Sequence, residues 1–507
     1  MITADVLLES YSCLRRACEK LLRPREARAK SYELLFRELQ FRELATLVVG
    51  MFPGVDGTHT GGGIPWYVPD DVEAADVRFR RATQLRESVA GGWILGGQCT
   101  AHVPLLETGG IVEGDAEWTL YLLHAAARTK ERHRREAAFT YCCLKDAGIN
   151  VTRVMLLSVD RTFVRSGTID PQRLFQREEC TAWVQIHETE LRSRVARILN
   201  AVDLLVAGEP ELEKLPHCLR PFDCPVCSTT FAKVPEHHVY TLYRGGETSR
   251  SLFGQGIIDL AGVPAGVRLT AEQEIQVDAV RQGAARVRTD RLREFLHGLE
   301  YPLSFLDFET YAVAVPPFEG IRPWQHVPFQ YSVHRLATPD AQPEQFGYVE
   351  ATGTDGRFTL IRSLLAALGK TGSILVFGSN FERAMLNYLG ELYPEFHDEV
   401  AAAGERIVDM SRPFLRFDYY HPGQRGRMSL KMILPALTEY DYSNLEFSDG
   451  LDASVAYYLS SHAGRFGSGV FSTEKVERVR ESLEEYCAMD TMALVRILHV
   501  LEAAASE

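Results

Sequence analysis

The chain has 507 residues, well past the size at which one hydrophobic core stops growing, so two or more domains are expected. Its 46% hydrophobic and 24% charged residues are ordinary globular values, and a formal net charge of -13 argues against a generally basic coat for nucleic acid while leaving room for local basic surfaces. No run reaches the length of a membrane span, and the opening Met1-Ile2-Thr3-Ala4-Asp5 lacks the basic start and apolar stretch of a signal peptide, so a cytoplasmic protein with no membrane partner is the expectation.

From Val6 to Leu22 apolar residues recur at helical spacing and carry Cys13 and Cys18. Gly and Pro punctuate 52–65 as loop. Strands are predicted at 92–95 and 119–123, a helix at 130–147 and a strand at 151–158, a β-α-β order that signals an α/β layer. The helix carries the basic run Arg128 to Arg135, a solvated face in the simpler view and a phosphate-facing one in the other. A helix over 181–206 precedes the proline-rich loop Pro216 to Cys227, whose Cys218, Cys224 and Cys227 cluster in a way that, in a reducing compartment, points to metal. A second α/β unit follows a helix at 271–281, with strands at 301–308 and 373–377 and helices at 381–389 and 476–501.

The chemistry concentrates in that second unit. On a strand, Asp307 and Glu309 project to one side while Leu306 and Phe308 face the other. Two carboxylates so close repel each other unless divalent cations neutralise them. A third acid, Glu382, opens a helix after a hydrophobic strand, and a fourth, Asp490, lies four residues beyond Tyr486 on one helical face, where the phenol could orient a water. Two-metal phosphoryl transfer needs such carboxylates from separate elements. Asp409 is as fit for a helix cap as for a site, and Gln330 and His334 share a strand face that either lines a substrate groove or is buried and hydrogen-bonded.

Asp307-Phe308-Glu309, Asn380-Phe381-Glu382 and Tyr486-x3-Asp490, in this order, resemble the DEDD (DnaQ-like) exonucleases of the RNase H-like fold, tyrosine subtype, with Glu382 departing from the usual aspartate. Together with Pro328 to His334, Tyr420-His421-Pro422 and Ser429 to Leu437, they resemble more closely an uncharacterised bacterial family joining a RecB-like PD-(D/E)xK module to a DnaQ-like one. The resemblance implies a RecB-like restriction-endonuclease-type domain at 1–235, a connecting segment at 236–295 and an RNase H-like domain at 296–507, a mixed sheet flanked by helices. It implies a 3′→5′ exonuclease acting on DNA or RNA, with two Mg²⁺ or Mn²⁺ ions on Asp307, Glu309, Glu382 and Asp490. In the first module the E-x-K position reads Leu122-Leu123-His124, which cannot ligate metal as the family does, so that module is expected to be catalytically degenerate. A RecB-like iron-sulfur nuclease joins one early cysteine to three late ones; Cys13, with Cys18 as the alternative, would join Cys218, Cys224 and Cys227 to supply four thiolates for [4Fe-4S] or Zn²⁺. The alternative to an exonuclease is a catalytically silent nucleic-acid-binding or scaffold protein built on both folds.

Overall fold

The computed structural model describes residues 1–22, 32–52, 55, 68–69, 71–112, 115–207, 222, 224, 234–447, 449–462 and 472–506. It is mixed α/β and divides into two compact units, Met1–Leu215 with Ala312–Gln325, and Pro216–Tyr311 with His326–Glu507.

In the first unit, helices α1 (Ala4–Ser12), α2 (Leu14–Leu22), α3 (Tyr32–Val49) and α4 (Val72–Gln84) precede strands β1 (Val89–Gly96), β2 (Cys99–Val112) and β3 (Asp115–His124). Helix α5 (Glu131–Asp146), strand β4 (Val151–Val159), short helix α6 (Pro171–Leu174), strand β5 (Phe175–Glu179) and helix α7 (Thr181–Val206) complete it. The sheet runs β1-β2-β3-β4-β5, antiparallel except where α5 crosses over to lay β4 parallel to β3. Helix α5 sits so close to β1 that a Cβ at Gly96 would fall 2.6 Å from the Cys143 Cα. The single opening helix expected from periodicity is two: Ser10 turns its hydroxyl onto the Leu7 carbonyl at 2.6 Å, and the chain passes through an extended Cys13 before α2 begins.

The second unit contains α8 (Gly246–Gly254), α9 (Ala271–Gln282), β6 (Arg286–Val287), α10 (Thr289–His297), β7 (Leu303–Tyr311), β8 (Val327–Leu336), β9 (Glu344–Val349), α11 (Arg357–Leu368) and β10 (Ile374–Val376). Then come α12 (Ser379–Leu392), α13 (His397–Glu405), β11 (Ile407–Asp409), α14 (Arg412–Leu415), β12 (Tyr419–Tyr420), α15 (Leu430–Leu437), α16 (Gly450–Ser461) and α17 (Thr473–Ser506). Its main sheet has the order β11-β10-β7-β8-β9, with β7 central, parallel to β10 and antiparallel to β8. Leu306 and Phe308 pack with Val333 and with Leu360, Ile361, Leu386 and Leu389 of α11 and α12 on one face. The opposite face carries polar side chains against α17: Gln330 Nε2 donates to the Leu483 carbonyl at 2.7 Å, and Thr491 Oγ1 meets Ser332 Oγ at 2.9 Å and His334 Nδ1 at 2.7 Å. A buried polar group without such a partner is expensive, so these bonds fix α17 at one rotation and height on the sheet. Among the described residues no helix is long and apolar enough to cross a membrane.

Candidate metal centre

Strand β7 alternates as its sequence requires. Asp307 pairs in register with Ser332 and Glu309 with Gln330, so both acids lie on the face that α17 covers. A bulge follows directly, between Glu309 and Thr310, which ends the regular ladder beside the acids. One helical turn of α17 brings Tyr486, Cys487 and Asp490 to the same place. One carboxylate oxygen each from Asp307, Glu309 and Asp490 lies within 4.8 Å of the others. Glu309 and Asp490 are each 7% exposed, while Asp307 keeps partial access to solvent.

The electrostatics are those of buried carboxylates crowded together, which favour a cation or a proton. Burial first, then the charges of Asp490, Glu309 and Glu382, push Asp307 well above the ordinary carboxylate range; the Cys487 thiol, 3.6 Å from its Oδ2, opposes this by hydrogen bonding. Burial and Asp490 likewise raise Glu309. Asp490 is lifted by burial to about 6, held from going higher by the Tyr442 hydroxyl, which donates to its Oδ1 at 2.6 Å, and by Lys431. Burial and the three nearby carboxylates keep the Tyr486 phenol protonated far beyond its usual range.

Glu382 is 4% exposed on the first turn of α12; burial lifts it to about 7, and its Oε2 has no hydrogen-bond partner. It acts on Asp307 through its charge but stands outside the 4.8 Å trio. Asp409, at the end of β11, serves as a cap. It accepts from the backbone N–H of Gly378 at 3.0 Å, Ser379 at 3.1 Å and Ser411 at 2.9 Å, tying down the turn that launches α12. Burial alone would raise its carboxyl, but these bonds and the Ser411 hydroxyl outweigh it and hold the group below the ordinary value. Gly378, at φ 94°, supplies the left-handed backbone that this turn needs. Gln330 and His334 are 2% and 4% exposed and committed to α17, so they are packing residues and line no groove.

Sequence reasoning assigned no role to Tyr442 and Cys487, which bond to the acids, or to Lys431 and Gly450, which stand close by. Lys431 Nζ stands 4.9 Å from the Tyr486 ring centroid and 5.6 Å from that of Tyr442. A Cβ at Gly450, the first residue of α16, would lie 3.6 Å from Glu309 Oε2 and 3.9 Å from the Tyr486 hydroxyl. The Ser429-Leu430-Lys431 stretch held the one usable signal, a lysine in a motif already singled out. Nothing in the local pattern marks Tyr442 or Gly450.

In the first unit, Leu122 is 2% exposed and Leu123 6%, and neither offers a ligand atom. His124 stacks on His133 with centroids 4.1 Å apart, and burial pushes it down to about 3. Much of the basic run is internally engaged: Arg134 pairs with Glu178 at 2.6 Å, Arg135 with Glu131 at 2.6 Å and over the Tyr11 ring. Cys13 is partly exposed at the end of α1 and Cys224 is buried, whereas Cys218 and Cys227 lie outside the described residues.

Residues 304–429 match the model of a family described as a domain of unknown function, DUF2779. That span contains Asp307, Glu309 and Glu382 and stops before Tyr442, Tyr486 and Asp490. No curated protein and no solved structure matches the chain.

Proposed function

We propose that the second unit is a metal-dependent 3′→5′ exonuclease of the RNase H-like, DnaQ-like kind, acting on DNA or RNA, and that the first is a RecB-like fold without its catalytic residues. The observation that carries this is the trio Asp307, Glu309 and Asp490, three carboxylates brought within 4.8 Å from a central strand and a long helix. Burying so much like charge is costly, and every donor is a hard oxygen, which suits Mg²⁺ or Mn²⁺. Support also comes from the unsatisfied Glu382 Oε2 and from the mixed sheet with β7 at its centre, the architecture that the motif resemblance implies.

Asp307, Glu309 and Asp490 would hold the ions, with Glu382 beside Asp307. When bound, two divalent ions supply an activated water and charge stabilisation at the leaving oxygen. The protonated Tyr486 hydroxyl orients that water as a donor or acceptor without itself losing its proton. Tyr442 fixes Asp490, Cys487 fixes Asp307, and Asp409 fixes the start of the helix that bears Glu382. End-labelled DNA and RNA oligonucleotides, incubated with Mg²⁺ or Mn²⁺, should shorten from the 3′ end with wild type and persist with a D307A/E309A variant. Equal degradation by both would remove the assignment. Intact substrate that is nonetheless bound would favour the silent nucleic-acid-binding alternative.

The cysteine quartet is a separate proposal. Cys13, Cys218, Cys224 and Cys227 would hold [4Fe-4S] or Zn²⁺, and iron, sulfide and zinc analysis of the purified protein decides it. A protein without any of the three, even after anaerobic reconstitution, would dismiss the cluster.

A further inference from the structure

Lys431 is placed unusually for a cation whose charge acts on Glu309 and Asp490. It is the second residue of α15, partly exposed, with its Nζ over the Tyr486 ring at 4.9 Å and near the Tyr442 ring at 5.6 Å. No carboxylate lies within 4.0 Å of that nitrogen and no hydrogen bond occupies it, among the described residues. Attraction to the two ring faces holds the ammonium in place and keeps it from collapsing onto the nearest acid. Its charge nevertheless reaches the centre, where it opposes the raising of both Glu309 and Asp490. A flexible, compact cation fixed on the ring of the water-orienting tyrosine, with its three N–H donors open, is matched to an anion arriving at the acids.

We propose that Lys431 is a phosphate-contacting residue of this site, its ammonium binding a non-bridging oxygen of the phosphodiester held at Asp307, Glu309 and Asp490. The proposal rests on the nuclease function above, and it gives that function a protein cation for the substrate's own charge. A lysine that merely damped repulsion among the acids would affect metal binding and leave phosphate binding alone. Electrostatic donors aimed at developing charge typically change turnover by about 100-fold.

The test compares wild type, K431A, K431R and D307A in the full chain. Three quantities are read: stabilisation by Mn²⁺ in thermal unfolding, kcat/KM on a labelled oligonucleotide, and affinity for a nucleoside 5′-monophosphate in saturating Mn²⁺. For K431A the expected result is Mn²⁺ stabilisation at least equal to wild type, kcat/KM lower by about 100-fold and monophosphate affinity lower by roughly 10-fold. K431R should recover part of both losses, since it restores the charge with a different shape, and D307A should lose the response to Mn²⁺. A K431A protein that cuts and binds monophosphate as wild type does overturns the role of Lys431 while leaving the nuclease in place. A wild type that does not cut, yet binds monophosphate more tightly than K431A, overturns the nuclease and keeps the phosphate site. A wild type that neither cuts nor binds overturns both.

Discussion

Replacing Asp490 by asparagine should make the metal-free protein more stable at neutral pH, although it removes a residue from the centre of the site. Burial lifts the Asp490 carboxyl to about 6 in the folded chain, against about 3.9 in an unfolded one. A carboxyl whose pKa is higher when folded holds its proton more tightly in the native state. Its contribution therefore favours folding below the unfolded value and is lost as pH rises through the folded one. The window runs from about pH 4 to about pH 6, and a shift of roughly two units corresponds to about 3 kcal/mol lost by neutral pH. Glu309 and Asp307 act in the same direction, since both are raised.

Asparagine keeps the shape and still accepts the 2.6 Å bond from Tyr442 through its Oδ1, so most of that loss should be recovered. In EDTA at pH 7.5 the melting temperature of D490N should exceed that of wild type by roughly 5 °C. The gap should close toward pH 4.5, where the wild-type carboxyl takes up its proton, and other acids cancel in the comparison. Added Mn²⁺ should reverse the order, because only wild type retains the full ligand set; a ligand at 100 times its Kd stabilises by about 2.7 kcal/mol. A D490N protein that melts below wild type in EDTA, with a gap independent of pH, would refute the account: it would mean that Lys431 and Tyr442 already stabilise the charged form without metal.

Tyr442→Phe removes the hydroxyl that holds Asp490 and should cost about 2 kcal/mol in thermal unfolding at pH 7.5, with slower oligonucleotide hydrolysis. Gly450→Ala places a methyl 3.6 Å from Glu309 Oε2 and 3.9 Å from the Tyr486 hydroxyl, distances the fold accepts. Because that methyl occupies the space a water would use, turnover should fall more than about 10-fold at nearly unchanged melting temperature, and unaltered turnover would count against a water position there. Asp409→Ala strands the N–H groups of Gly378, Ser379 and Ser411; a loss of roughly 2–4 kcal/mol is expected in urea unfolding, together with weaker Mn²⁺ stabilisation as Glu382 loses its anchor.

The acids could be found in advance because their placement follows from periodicities. Two residues apart on β7 and four apart on α17 are same-face relations that hold whatever else the chain does. Helix α7 was equally legible, its bounds of Thr181–Val206 coinciding with the expected span. Strand β2 was not. It contains Pro104, a residue that argues against an inner strand, yet β2 lies between β1 and β3. The register that pairs Ala90 with Leu105 and Gly92 with Val103 sets Pro104 opposite Gly91, whose φ of 73° interrupts the ladder there. The missing donor is thus met by a break in the partner strand, a compensation visible only once the two strands are aligned.

The same distinction separates the two halves of the candidate site. Asp307, Glu309, Tyr486 and Asp490 come from regular elements. Lys431, Tyr442 and Gly450 arrive from α15, from the stretch after it and from the start of α16, where no period links them to the acids. Acids in a repeating pattern announce themselves because their mutual repulsion is unfavourable without an ion, and chance does not sustain an unfavourable arrangement across three elements. A lysine or a tyrosine hydroxyl near such acids is favourable by itself, so its presence at a given position carries little information until distances are known. The phosphate role of Lys431 therefore rests on what the structure adds: an ammonium held over two rings, close enough to act on Glu309 and Asp490 and paired with neither.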